Sequence, residues 1–257
     1  MTNTILNTTN NNSPTAVTKT KAEEITAILR DEILTGQYRP GERMPSERDL
    51  AARFEANRGA IRESLKKLEQ LGIACITPGG VRVVPVKEAS LSILGPLVDI
   101  QDSPDPTMAG HLMEVLGALV SMAARTAVER ASDDELEQMQ VIVADLLEHA
   151  EDPAYQHNRW RDLGELFTEV SENLVLRLIL NGLKTQIIDR VEDRPKVDIQ
   201  IDLSSRKHIL EKLIFAVQQR DTVAVANTIL EHFELINQTM QTALEQVSPT
   251  TQQDPSL

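Results

Sequence analysis

The chain has 257 residues, a formal net charge of −13 and a single cysteine. That length suffices for two domains with separate cores, and one cysteine excludes a disulfide framework. The N-terminus has no basic stretch followed by an apolar one, and no apolar run approaches the roughly eighteen residues of a spanning helix, so a reduced, cytoplasmic protein with no membrane partner is expected.

Residues 1–18, rich in Asn and Thr, are too polar to bury much surface and are expected to be a loose arm. Ala22, Ile25, Ile28, Leu29 and Ile33 recur at helical spacing and predict a first amphipathic helix. Pro45 then sets up a turn, Ser46 is placed to be an N-cap with Asp49 three residues on, and apolar Leu50 and Phe54 follow, so a short helix is predicted. Asn57 can cap a second, longer helix carrying Ile61, Leu65, Leu68 and Leu71, which Gly72 stops. Residues 73–76 and 81–84 flank Pro78, Gly79 and Gly80, the chemistry of a small hairpin whose turn needs positive φ. Helix, turn, helix, hairpin spells a winged helix. Cys75, inside the first strand, is expected to be a buried structural thiol.

On the second of these helices Arg58 and Arg62 stand four apart and share a face, with Lys66 one turn on. Arg58 falls in the first turn, where a recognition helix enters the major groove and a guanidinium can bond bidentately to guanine O6 and N7. Any one of these cations alone reads equally well as a solvated helix charge, but the capped helices, paired arginines and Gly-Gly wing occur together and in order. Ser46, Arg48, Asn57, Arg58, Arg62, Lys66, Gly79, Gly80 and Arg82 therefore form the expected DNA-binding set. Charge is partitioned to match: residues 19–87 carry 13 Lys and Arg against 10 Asp and Glu, a balance of +3, and the remainder carries −16. Only the first part suits a polyanion.

Beyond residue 89 the pattern is helical throughout. Leu91, Ile93, Leu94, Leu97 and Val98 form a first apolar segment, which Pro104 and Pro106 break, and an Ala-rich helix is predicted over 108–130. Ser132 and Glu135 make a capping box before Leu136, Met139, Val143, Leu146 and Leu147. Further helices are predicted over 158–170, 173–191, 204–219 and 222–246, and a loose tail over 248–257. The expected fold is mainly α: an N-terminal winged helix-turn-helix domain over 19–86, then an all-α six- or seven-helix bundle over 87–247.

The P-S-E-R-x-L-A run from Pro45 to Ala51 and the R-x-x-x-R of Arg58 and Arg62 resemble the GntR family of bacterial transcription regulators. The resemblance extends through the first helix and through Gly36 to Glu42, and it places the family's DNA contacts on Arg48, Arg58, Arg62 and wing Gly79. At Gly59 and Ala60 the chain departs from the hydroxyl-bearing pattern of the family, removing a side-chain donor from the reading face. The second half is similar to the effector-binding and dimerisation domain of the FadR branch, most specifically at Leu178-Ile179-Leu180-Asn181-Gly182-Leu183-Lys184.

The resemblance implies a homodimer on a palindromic duplex operator, with a small-molecule effector in the helical domain shifting the spacing of the two heads. Much of the branch holds a divalent metal with an Asp and three His; here the matching positions read as His208 and His232 alone, which make only a weak site, so no cofactor is expected and a metal held by that pair is the alternative. Two imidazoles hydrogen-bonded inside a polar cavity are the expected use of that pair. The E-x-R clamp of the branch is also missing, since Glu114 and Val115 are followed by Leu116. Losing a charge-assisted hydrogen bond of about 1.5–3 kcal/mol argues against small acids and for an apolar effector such as a fatty acyl thioester, lined by Leu116 and Leu180 with Asn181, Lys184, His208 and His232 as polar neighbours. The alternatives are a sugar acid or other carboxylate effector, apolar residues that are simply core, or a bundle that serves only dimerisation or partner binding. An enzyme is not expected: the helical half offers no recognisable nucleophile–base order, phosphate-cradling Gly loop or Cys nucleophile.

Overall fold

A computed structural model of the protein describes residues 20–100, 105–188 and 201–247. The predicted arm 1–18, the tail 248–257 and the end of the helix predicted over 173–191 lie outside them. The chain divides into two compact units, one through Ser90 and one from Leu91.

The first unit is built on three helices and a hairpin. Helix α1 (Lys21–Leu34) is closed at its start by a full capping box between Thr20 and Glu23, and it buries Ala22, Ile25, Leu29 and Ile33. Ile28, off that stripe, is exposed. Helix α2 (Glu47–Arg53) starts at Ser46, whose hydroxyl accepts from the Asp49 N–H at 3.3 Å and donates to its carboxylate at 2.6 Å. Helix α3 (Arg58–Gln70) buries Ile61, Leu65 and Leu68 against α1. Gly72 ends it at φ +77°, and a Cβ there would sit 2.9 Å from the backbone nitrogen of Ser90, so neither the conformation nor the space admits a side chain.

Strands β1 (Ala74–Thr77) and β2 (Gly80–Val83) pair antiparallel, Ala74 opposite Val83 and Thr77 opposite Gly80. Val81 and Val83 point inward, so the pleat turns Cys75 and its partner Arg82 to solvent. Cys75 is exposed, which corrects the expectation of a buried thiol: strand alternation, not the apolar neighbours in sequence, decides its side. The segment before α2 joins the hairpin edge, Gly41 and Met44 donating to Val83 and Val81.

The second unit contains seven α-helices and no strand among the described residues. They are α4 (Leu94–Ile100), α5 (Pro106–Arg130), α6 (Asp133–Glu148), α7 (Pro153–Val170), α8 (Leu174–Leu183), α9 (Leu203–Gln218) and α10 (Thr222–Val247). A π-helical turn over Lys184–Ile188 extends α8. Two starts lie earlier than periodicity predicts, because Pro106 and Pro153 are first-turn residues behind the capping carboxylates of Asp105 and Asp152, not breakers. Helix α5 lies along α10 and also packs on α7. A Cβ at Gly117 would stand 2.9 Å from Cβ of Phe233, so glycine there sets how closely α5 and α10 approach. Among the described residues α5 alone has the length and apolarity of a membrane span, but its Ala123, Ala124 and Ala127 are fully enclosed in the bundle core with Met139, Val143, Leu163, Phe167 and Leu213.

Candidate nucleic-acid interface

Asn57 caps α3 by accepting from the Ala60 N–H at 2.9 Å, which places Arg58 at the first helical position. Arg58 is exposed and has no ion pair with a described residue. Arg62, one turn on, is held differently. Its Nε donates to both carboxylate oxygens of Glu47 at 2.9 and 3.0 Å. Because that contact uses the Nε edge, both terminal nitrogens stay available for a phosphate or a guanine edge, in an orientation fixed by the helix that precedes it. Glu47 of the P-S-E-R run thus positions a cation on the next helix.

Arg48 is 83% exposed with Asp49 at 3.7 Å, and the Ser46 hydroxyl above holds that Asp49 carboxyl below the usual carboxylate range. The hydroxyl of Ser46 is engaged in capping Asp49, so what it does is fix the start of α2. Lys66 is exposed, whereas its neighbour Lys67 pairs with Glu23 at 3.5 Å and Glu63 at 3.4 Å. Helix periodicity separates the two: Lys67 lies on the edge facing α1.

In the wing Gly79 is exposed and Gly80 has φ +111°. A Cβ at Gly80 would meet Nε of Arg43 at 2.8 Å, so this guanidinium lies over the hairpin. Arg82 donates to the Gly41 carbonyl at 2.9 Å, tying the wing to the segment before α2. Arg43 is a cation of this candidate face that residue spacing missed, because it sits in a loop with no period. Behind the face, Arg53 grips the nearly enclosed carboxylate of Glu32 and stacks on Phe54, which locks α2 to α1 and keeps that arginine out of the reading face.

The expected effector residues are not brought together. Leu116 is core, packed with Val98, Leu183 and Ile187, and Leu180 bridges that cluster and the main one. Asn181 is exposed, and Lys184 reaches Glu165 at 3.4 Å on the surface. His208 is exposed while His232 is 6% exposed, so the two imidazoles do not share a cavity. His232 stacks on Trp160 with centroids 3.6 Å apart, and burial with Arg206 nearby holds its pKa down to about 3. No group of three or more metal-capable side chains converges among the described residues. A stacked imidazole facing a guanidinium does not fit a divalent cation.

Arg206 is the residue the sequence reading passed over. It is 8% exposed, its guanidinium donates to the Ala150 carbonyl at the end of α6, and burial alone lowers its pKa, with no carboxylate partner among the described residues. The signal was present: Arg206 lies three, four and seven residues before Ile209, Leu210 and Leu213, on the buried stripe of α9, whereas His208 lies off it. A groove of about 220 Å³ between α5 and α10 is lined by Met113, Gly117, Leu230 and Phe233 with Glu114 and Glu234 at its rim.

A winged helix whose second helix presents exposed cations, followed by an all-helical unit, is the architecture of a DNA-binding regulator with an appended helical domain. The model of the bacterial regulatory proteins of the gntR family matches residues 21–84, and that of the FCD domain matches residues 111–235. The chain belongs to the GntR family of transcription regulators and is not an enzyme. It is similar to the HTH-type transcriptional repressor NanR of Citrobacter rodentium, 24% identical over 226 residues, 86% of this chain and 85% of that one. The HTH-type transcriptional regulator Mce2R of Mycobacterium tuberculosis is 28% identical over 164 residues, 63% of this chain and 68% of that one. Among solved structures, that of Lar, which controls expression of the Listeria monocytogenes agr system, covers 90% of this chain and 99% of its own at a TM-score of 0.50 and 16% identity, a likeness of fold alone.

Proposed function

We propose that the protein binds a palindromic operator as a homodimer, Arg58 and Arg62 entering the major groove and the Arg43, Gly79, Gly80 and Arg82 wing lying against the backbone. The observation that carries this reading is the exposed, unpaired Arg58 at the start of α3, one turn from an arginine whose reach is set by Glu47. A duplex selected from a random library by the full-length protein tests it by fluorescence anisotropy. Arg58→Ala should weaken binding by about 1–3 kcal/mol per head and relax discrimination at one base pair. Unchanged affinity in Arg58→Ala and Arg62→Ala alike would end this reading.

The effector reading changes in chemical class. In place of an acyl chain, we propose a small organic anion engaging Arg206 in the helical unit. A guanidinium withdrawn from water without a carboxylate is a ready partner for one, while the leucines expected to line an apolar tunnel pack against one another. Thermal-shift titration against panels of small carboxylates and acyl thioesters tests this. A carboxylate that stabilises the wild type and not Arg206→Met supports it, and a shift with acyl thioesters alone, or with nothing, removes it.

A further inference from the structure

The groove between α5 and α10 holds two charges with no counter-charge among the described residues. The helices run antiparallel along it: Gly110 lies by Asn237, Gly117 lies by Phe233, and the Ser121 hydroxyl donates to the Ala226 carbonyl at 2.9 Å. That pairing brings Glu114 of α5 and Glu234 of α10 to one rim, with the Asn237 amide beside them. Both carboxylates are exposed, and neither has an ion pair or a hydrogen bond with a described residue. Glu231, one turn earlier on α10, is by contrast held by Lys212 at 2.7 Å. The lining contains no Lys, Arg or His. Beneath the rim the floor is apolar, formed by Met113, Leu230 and Phe233, and Gly117 adds no side chain to fill it.

This combination discriminates among ligands. A bare divalent cation is a poor occupant, because a held one takes more oxygen ligands than two carboxylates and one amide supply, and the floor offers none. A neutral apolar molecule would cover the floor but would draw the carboxylates out of water with nothing in exchange. An ammonium group on a short apolar body satisfies both parts: its N–H donors reach Glu114, Glu234 and the Asn237 amide oxygen while the body covers Met113, Leu230 and Phe233. A volume of about 220 Å³ limits that body to one ring or a short chain. The charge of −16 outside residues 19–87 draws cations to the same half of the chain.

We infer that the α5–α10 groove is a binding site for a small primary ammonium ion with an apolar body, held between Glu114 and Glu234. The site does not involve Arg206 and takes the opposite charge, so it stands apart from the effector and operator readings.

Phenethylammonium chloride is a suitable probe, titrated into the full-length protein at pH 7 and low salt by isothermal titration calorimetry. Saturable binding at one site per chain is expected. The neutral 2-phenylethanol, which keeps the body and loses the charge, should bind about tenfold more weakly. Glu114→Gln and Glu234→Gln should each weaken the amine by about threefold, and the double variant by about tenfold. Helical circular dichroism and the melting midpoint should stay as in the wild type, since both side chains already stand in water. No saturable binding, equal affinity for amine and alcohol, or a double variant that binds like the wild type would each overturn the site, the last because the acidic surface would then gather the amine as a counterion only.

Discussion

The two units place arginine in opposite settings, and each setting tells what the residue is for. In the head Arg58 stands in solvent with no ion pair to a described residue and Arg62 is tethered through its Nε, so in the proposed reading both are left to meet a polyanion outside the protein. In the bundle Arg206 is enclosed, its guanidinium donating to a helix-end carbonyl with no carboxylate partner among the described residues. The same guanidinium is exposed in one place and enclosed in the other, and solvation decides whether its charge can meet partners by encounter or only where it is held. Net charge alone hides this, since the bundle is strongly acidic as a whole.

Acid should break the bundle's side of the contrast most severely. His232 has an ordinary pKa of 6.5 and a folded value of about 3, so the unfolded chain takes up the proton first as pH falls. Its contribution to stability is complete above about 6.5 and is lost at up to about 1.4 kcal/mol per pH unit below that, toward 3. Urea midpoints of wild type and His232→Phe, measured from pH 7 to 4, check this: the wild type should fall more steeply. Parallel slopes would show that His232 does not set the acid sensitivity.

Arg58→Ala comes next, with its loss of about 1–3 kcal/mol per head in duplex binding and no change in the thermal midpoint, since the exposed side chain makes no ion pair or side-chain hydrogen bond with a described residue. Arg206→Met should behave inversely. Operator affinity without effector is retained, stability moves by about 1 kcal/mol for the freed Ala150 carbonyl, and the midpoint increase given by a small carboxylate disappears. A variant that still responds to the carboxylate would separate Arg206 from effector binding. The smallest effect belongs to Glu47→Gln, which frees Arg62 from its tether. An exposed pair of this kind is worth less than about 1 kcal/mol, so duplex affinity should change by a few-fold at most, while the salt dependence of binding stays the same. A large loss would mean that pre-orientation of Arg62 matters more than its charge.

Much of the head was legible because its signals are local. Caps at Ser46 and Asn57, the stop at Gly72 and the stripe of Ile61, Leu65 and Leu68 each act within a few residues, and the structure places helices on them. Cys75 was misread because its apolar neighbours in sequence say nothing of which side of the pleat it takes. In the bundle the helices were legible, but which polar side chains they enclose was not. His208 and Arg206 differ by two positions, and only the stripe that packs on α6 and α10 determines which of them is enclosed.

The sequence by itself determined that a short capped helix precedes a longer one bearing arginines on one face, and that an acidic helical region follows, because helix period and capping chemistry are short-range properties. Tertiary structure alone decided that Glu47 orients Arg62, that Arg43 lies over Gly80, that Arg206 and not His208 turns inward, and that Glu114 and Glu234 border one groove. These depend on which surfaces meet, and burial, with the desolvation it brings, is a property of the packed whole rather than of any stretch of residues.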